Sequence, residues 1–272
     1  MMLAFLRHIA GYAFSTGARA LLPAAFAATV VCADATPDGE TPLHQATFKD
    51  RTEEAVALLA AGAAPDAANR YGVTPMQLAC ANGNAEIVAA LLEAGVDPNT
   101  EFDGGQTALM VAARTGRVEP ITALLSAGAG VGVADRKGQT ALMWAAAEGH
   151  VEATRILLEA GADPGAKLDS GFNAMFFAAR AGHSEVVETL LGHGVDVNDG
   201  IEGGGGGRLP AKGTSALLLA MENGHFELAA KLLEKGADAS DMRSGYTPLH
   251  VISWVRKPRR GDGIDGAPPP TV

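Results

Sequence analysis

Apolar positions along this chain recur in a pattern that repeats every 33 residues. A Leu-Leu pair stands three residues before a glycine at Leu58-Leu59/Gly62, Leu91-Leu92/Gly95, Leu124-Leu125/Gly128, Leu157-Leu158/Gly161 and Leu190-Leu191/Gly194, and once more at Leu232-Leu233/Gly236. Ahead of each pair the spacing is helical. In 151–160, Val151, Ala153, Ile156 and Leu157 mark a buried side, while Glu152, Arg155 and Glu159 face water. Gly161 is placed to end that helix as a C-terminal cap residue. Further upstream a shorter Ala-rich stretch, as in 109–114 and 142–147, predicts a first helix whose small side chains let neighbours approach closely. A glycine break (Gly83, Gly116, Gly149, Gly182, Gly224) separates the two helices, and Pro120 falls where the first turn of a second helix tolerates it.

A second marker keeps the same phase. Units open at Gly39-Glu-Thr41, Gly72-Val-Thr74, Gly105-Gln-Thr107, Gly138-Gln-Thr140 and Gly171-Phe-Asn173, then at Gly213-Thr-Ser215 and Gly245-Tyr-Thr247. The glycine suits a tight turn, the following Thr, Asn or Ser can cap the first helix, and Pro42, Pro75 and Pro248 sit just inside it. Two markers locked to one period mean a stacked array of turn–helix–turn–helix units, not a globule around one core.

These residues resemble the ankyrin repeat. Thr41-Pro-Leu-His44 and Thr247-Pro-Leu-His250 match its best-known motif, and Gly161-Ala-Asp163 and Gly236-Ala-Asp238 match its closing turn, with the resemblance covering roughly residues 38–253. It implies an all-α solenoid of stacked helix-turn-helix repeats with hairpin-like turns. The departures are local. Gly128-Ala-Gly130 lacks the usual Asp, nine extra residues lie between Gly194 and Gly213, and the seventh unit shows only a first helix.

Composition then sets the limits. Aromatics are only 5% of the chain, as a thin seam between helix pairs requires, and the net charge of −10 argues against non-specific binding to nucleic acid. Residues 1–33 lie outside the array. Arg7 and Arg19 are their only charges, and the apolar run Ala20–Ala33 ends in small residues. That segment reads as a secretory signal cut after Ala33, too short for a membrane span. The mature chain is then exported, to the periplasm or beyond the cell, with Cys80 its sole thiol and no internal disulfide. Residues 34–253 form the array, about six full units and a partial seventh, with a Gly-rich insertion near 199–212. Residues 254–272 form a basic, Gly/Pro-rich tail. Val251, Ile252 and Trp254 are left with no second helix to cover them, so the natural chain is expected to continue past Val272.

No catalytic constellation emerges. His44 and His250 share one repeat position and His150, His183 and His225 another, so equivalent rings stand about 8–10 Å apart, too far to share a metal ion. Turn-stabilising hydrogen bonds account for them better. Gly203–Gly207 with Arg208 and Lys212 lacks the strand and the Gly-Lys-Ser/Thr order of a phosphate loop. No cofactor is called for. The expected partner is another protein, engaged through the concave face that turn tips and first helices form in such arrays. One position per first helix reads Gln45, Leu78, Val111, Trp144, Phe177 and Leu219, large and apolar in the middle. Candidate contact residues are Tyr71, Arg114, Arg136, Lys137, Trp144, Glu148, Phe172, Phe177 and Arg180, the aromatic-plus-arginine composition of an interface hot spot. The competing account is that Trp144 and Phe177 only seal adjacent units. The resemblance extends to exported ankyrin-repeat proteins of bacteria, and the function expected is a non-enzymatic binding scaffold. Two alternatives remain open at this point: a docking segment of a larger enzyme extending past Val272, and a cytoplasmic signalling adaptor.

Overall fold

The computed structural model describes residues 36–203 and 210–255, with backbone only for 252–255. The expected leader 1–33, most of the glycine run and the basic tail lie outside the described residues. Thirteen α-helices are described. They pair by unit as α1 Pro42–Phe48 with α2 Thr52–Ala60, α3 Pro75–Asn82 with α4 Ala85–Glu93, and α5 Ala108–Thr115 with α6 Val118–Ser126. The next pairs are α7 Ala141–Glu148 with α8 Val151–Glu159, α9 Ala174–Ala181 with α10 Ser184–Gly192, and α11 Ala216–Glu222 with α12 Phe226–Glu234. Last comes α13 Pro248–Val255. First helices pack on neighbouring first helices and second on second, so the core is one seam running through every unit.

The caps form as the residue types demand. Thr41, Thr74, Thr140, Asn173 and Ser215 each accept, through a side-chain oxygen, the backbone N–H three residues on, at 3.4, 3.3, 3.4, 3.0 and 3.4 Å. Thr107 makes no such bond. Small residues take the closest approach between first helices: Ala46, Ala79, Ala112, Ala145, Ala178 and Ala220 share one repeat position, and all are buried. Opposite them lie Ile87, Val88 and Leu91 of α4, Ile121 and Leu124 of α6, and Val186, Val187 and Leu190 of α10. In α8 the buried side is rotated from the predicted one. Ala153, Thr154, Leu157 and Leu158 are buried and Val151 and Ile156 only half so, the register in which α4 buries Ile87, Val88 and Leu91; the buried Thr154 hydroxyl is satisfied locally, donating to the His150 carbonyl at 2.8 Å.

Units are tied by side chains that reach across the joint. The Nε2 atoms of His150, His183 and His225 donate to the carbonyls of Arg114, Ala147 and Arg180 in the preceding unit, at 2.9, 3.1 and 3.0 Å. Each ring lies against the glycine that ends the preceding first helix. At Gly116, whose φ is +70°, an added Cβ would sit 2.3 Å from His150 Nδ1. Glycine there answers both to a left-handed backbone and to the space the next unit occupies.

The nine extra residues enter at a single hairpin tip. In unit five the tip closes with Leu168 N–H to Phe172 O and Gly171 N–H to Leu168 O, both 2.8 Å. The next tip closes the same way, Ile201 N–H to Thr214 O at 3.0 Å and Gly213 N–H to Ile201 O at 2.7 Å, although far more chain lies between. Ile201 is buried, and Lys167 pairs with Asp199 and Glu202 at 3.5 and 3.3 Å. The first helices beneath the insertion therefore stack as in the other units.

At the far end one expectation needs correction. Val251 is 2% exposed, not uncovered, because α13 lies on α11 and buries the side that faces the array. Leu249, on the side a second helix covers elsewhere, is 67% exposed, whereas its counterpart Leu142 is 1% exposed. The side chains of Ile252 and Trp254 lie outside the described residues.

Candidate functional site

Two groups of candidate residues come together on the face made by first helices and hairpin tips. In the first, Arg114 at the end of α5 reaches into the next unit and places its guanidinium 5.7 Å from the Trp144 ring centre. Trp144 is half-buried, and its indole Nε1 is enclosed with no hydrogen-bond partner. In the second, Arg180 at the end of α9 lies over both Phe172 and Phe177, at 5.1 and 5.3 Å, and those two rings meet edge-on at 5.2 Å. Arg114 and Arg180 occupy the same repeat position two units apart, with Ala147 between them.

Phe172 was expected at an exposed tip; it is 3% exposed, packed against Phe176 as well as Phe177 and covered by Arg180. Phe177 is 9% exposed, and Val111 and Leu219 are likewise buried, so those members of the apolar series seal adjacent units. Trp144 stays partly open. Arg136 and Lys137 are exposed on the unit-four tip, where the Asp135 carboxylate accepts the Lys137 and Gln139 N–H groups at 2.9 and 2.8 Å. Glu148 is exposed at the end of α7. Tyr71 is exposed on the unit-two tip under Arg70, apart from both groups, and Arg70 also pairs with Asp38 at 2.7 Å.

Charge separates the two faces, a signal present in the sequence once helices are assigned. Each second helix carries glutamate in its first turn (Glu53 and Glu54, Glu86, Glu119, Glu152, Glu185, Glu227), where the helix dipole favours it. The cations on these helices are matched: Arg155 pairs with Glu152 and Glu159, and Lys231 pairs with Glu188 at 2.8 Å. The Lys231 ammonium holds the Glu188 carboxyl below the usual carboxylate range. By contrast Arg114, Arg136, Lys137 and Arg180 make no ion pair among the described residues.

The ring nitrogens of His44 are bonded and the one described thiol is enclosed. His44 donates through Nε2 to the Val73 carbonyl at 3.0 Å and accepts the Thr41 N–H at Nδ1, at 3.2 Å. The Cys80 thiol is buried, and that burial pushes its pKa up to about 12, so it is not a nucleophile at neutral pH. Among the described residues no group of three or more His, Cys, Asp or Glu could hold a metal ion, and no helix is long and apolar enough to cross a membrane.

Paired helices joined by hairpin turns and sealed by a shared alanine position define a helical repeat solenoid. The family model described as ankyrin repeats (3 copies) matches residues 8–103, 43–135 and 109–201. Its first match begins within the stretch read from sequence as a leader. Among solved structures, the chain is similar to the ankyrin repeat domain of Bcl-3, described as a unique member of the IkappaB protein family. The two are 30% identical with a TM-score of 0.65, over 79% of this chain and 94% of that chain. No curated protein matches by sequence. The chain belongs to the ankyrin-repeat family, and its array is a protein–protein interaction domain.

Proposed function

We propose that this chain is a non-enzymatic scaffold that binds a protein through the first-helix face of units three to five, and that it works outside the cytoplasm. The observation that carries the binding reading is the pair of exposed arginines fixed over aromatic rings, each without a carboxylate partner among the described residues. Such guanidiniums combine a desolvated support with free donors, the composition that dominates binding energy at interfaces. The non-enzymatic reading draws on how the polar groups are used, since the histidines bond carbonyls and the only thiol described is buried.

Affinity capture from the native compartment followed by mass spectrometry identifies the partner. Trp144→Ala and Arg180→Ala are then expected to weaken its binding about tenfold or more each while helical content stays near wild type. Unchanged binding, or a collapse of thermal stability in both variants, would reduce these residues to seam. Export rests on the apolar run Ala20–Ala33 and its small-residue end. N-terminal sequencing of the mature protein is expected to begin at Asp34, and a chain beginning at residue 1 overturns export.

A further inference from the structure

The array's cations divide by use. Arg51, Arg70, Arg155, Lys167, Lys231 and Arg243 are each spent on an internal carboxylate. Arg114 and Arg180 instead rest on rings. A guanidinium stacked this way keeps its planar fork of donors at the edge, and that fork matches a carboxylate bidentately. Holding the fork in place beforehand removes much of the ordering cost a free arginine would incur on binding. The opposite face carries glutamates in every second helix and would repel an acidic ligand, which leaves the first-helix face as its docking side.

Resting on the function proposed above, we infer that the partner presents an extended acidic segment, running along the array so that one carboxylate meets Arg114 and a second meets Arg180. Equivalent positions two units apart lie about 16–20 Å from each other, given helix spacings of roughly 8–10 Å. An extended chain advances about 3.3 Å per residue, so the two acidic residues stand five or six positions apart. Between them the segment crosses Ala147, the smallest side chain that could occupy the shared position, and the open part of Trp144, which suits an apolar residue. Arg136 and Lys137 on the adjoining tip extend the attraction, while Glu101, Asp103, Glu148 and Asp169 are exposed carboxylates of the same region. They confine the anion sites to the two arginines rather than the whole face.

The test pans a random peptide library of about twelve residues, long enough to span the central units, against the full chain. Enriched peptides are expected to carry two Asp or Glu residues five or six apart with an apolar residue between. Arg114→Gln and Arg180→Gln should each weaken them about tenfold, the usual scale for losing one charge-assisted interface contact. Glu148→Gln should tighten them, and Arg155→Gln, on the opposite face, should change nothing. Neutral or basic winners that still depend on Trp144 would overturn the acidic partner and keep the docking face. Winners indifferent to Trp144→Ala and Arg180→Gln would overturn the docking face itself, and no enrichment at all would remove the linear acidic segment.

Discussion

One repeat position tells the end of this array from its middle. In unit one it is His44, whose ring accepts the Thr41 N–H and donates to the Val73 carbonyl, so a polar side chain closes its own cap and ties down the next unit. In units three, four and five the same position holds Met110, Met143 and Phe176, all buried. The middle units give up that polar tie and gain apolar volume in the seam. They also carry the two arginine-on-ring groups that lack an ion pair among the described residues, and Phe172, which supports Arg180, itself leans on Phe176. Motif residues therefore hold the outer unit together locally, whereas the central units join a wider apolar seam to the ties that His150 and His183 make across the joint.

The largest effect is expected where packing replaced the hydrogen bonds. Phe176 is completely buried. Phe176→Ala should destabilise the array by about 3–5 kcal/mol, read by denaturant unfolding, and should also loosen Arg180 by removing the floor under Phe172. A loss below about 1 kcal/mol would mean the central seam can collapse around the gap, and the contrast between middle and end would fail.

Glycine positions sharpen the same contrast. Gly116→Ala must hold a left-handed φ of +70° and displace the His150 ring, so about 2–4 kcal/mol is expected from strain and the lost hydrogen bond together. Gly224 has a similar φ of +81°, but an added Cβ there meets nothing within 4 Å, since among the described residues no histidine of a following unit lies against it. Gly224→Ala should cost about 1–2 kcal/mol, backbone strain alone. Equal losses in thermal unfolding would show that the histidine contact contributes nothing. His44→Ala, which strips both hydrogen bonds from the outer unit, should fall near 1–3 kcal/mol and fray unit one first, visible as faster amide exchange in α1.

Much of this was legible from residue types. The period, the Thr, Asn and Ser caps, the glycine stops and the histidines as structural bonds all follow from local chemistry that every unit repeats. What needed coordinates was non-local. Phe172 follows the tip glycine and looks exposed, yet Arg180 and two other rings cover it. Val251 looks unprotected, yet α11 lies against it. Thr154 is polar and buried because its hydroxyl finds a carbonyl four residues back. The unpaired state of Arg114 and Arg180 is equally invisible in one dimension, since a cation's partner depends on which faces meet.

The smallest predicted effect tests whether the repeat's sequence signature is also an energetic one. Thr107 and Thr140 open adjacent central units with the same residue in the same place, and a reading of sequence assigns both as caps. The Thr140 oxygen accepts the Met143 N–H at 3.4 Å, while the Thr107 side chain makes no capping bond. Thr140→Ala should cost about 1 kcal/mol and Thr107→Ala a few tenths at most. Both differences are resolvable from unfolding midpoints measured side by side. If the two variants lose the same amount, Thr107 caps its helix in solution as its neighbours do, and the middle units differ from the end only in what fills their seam.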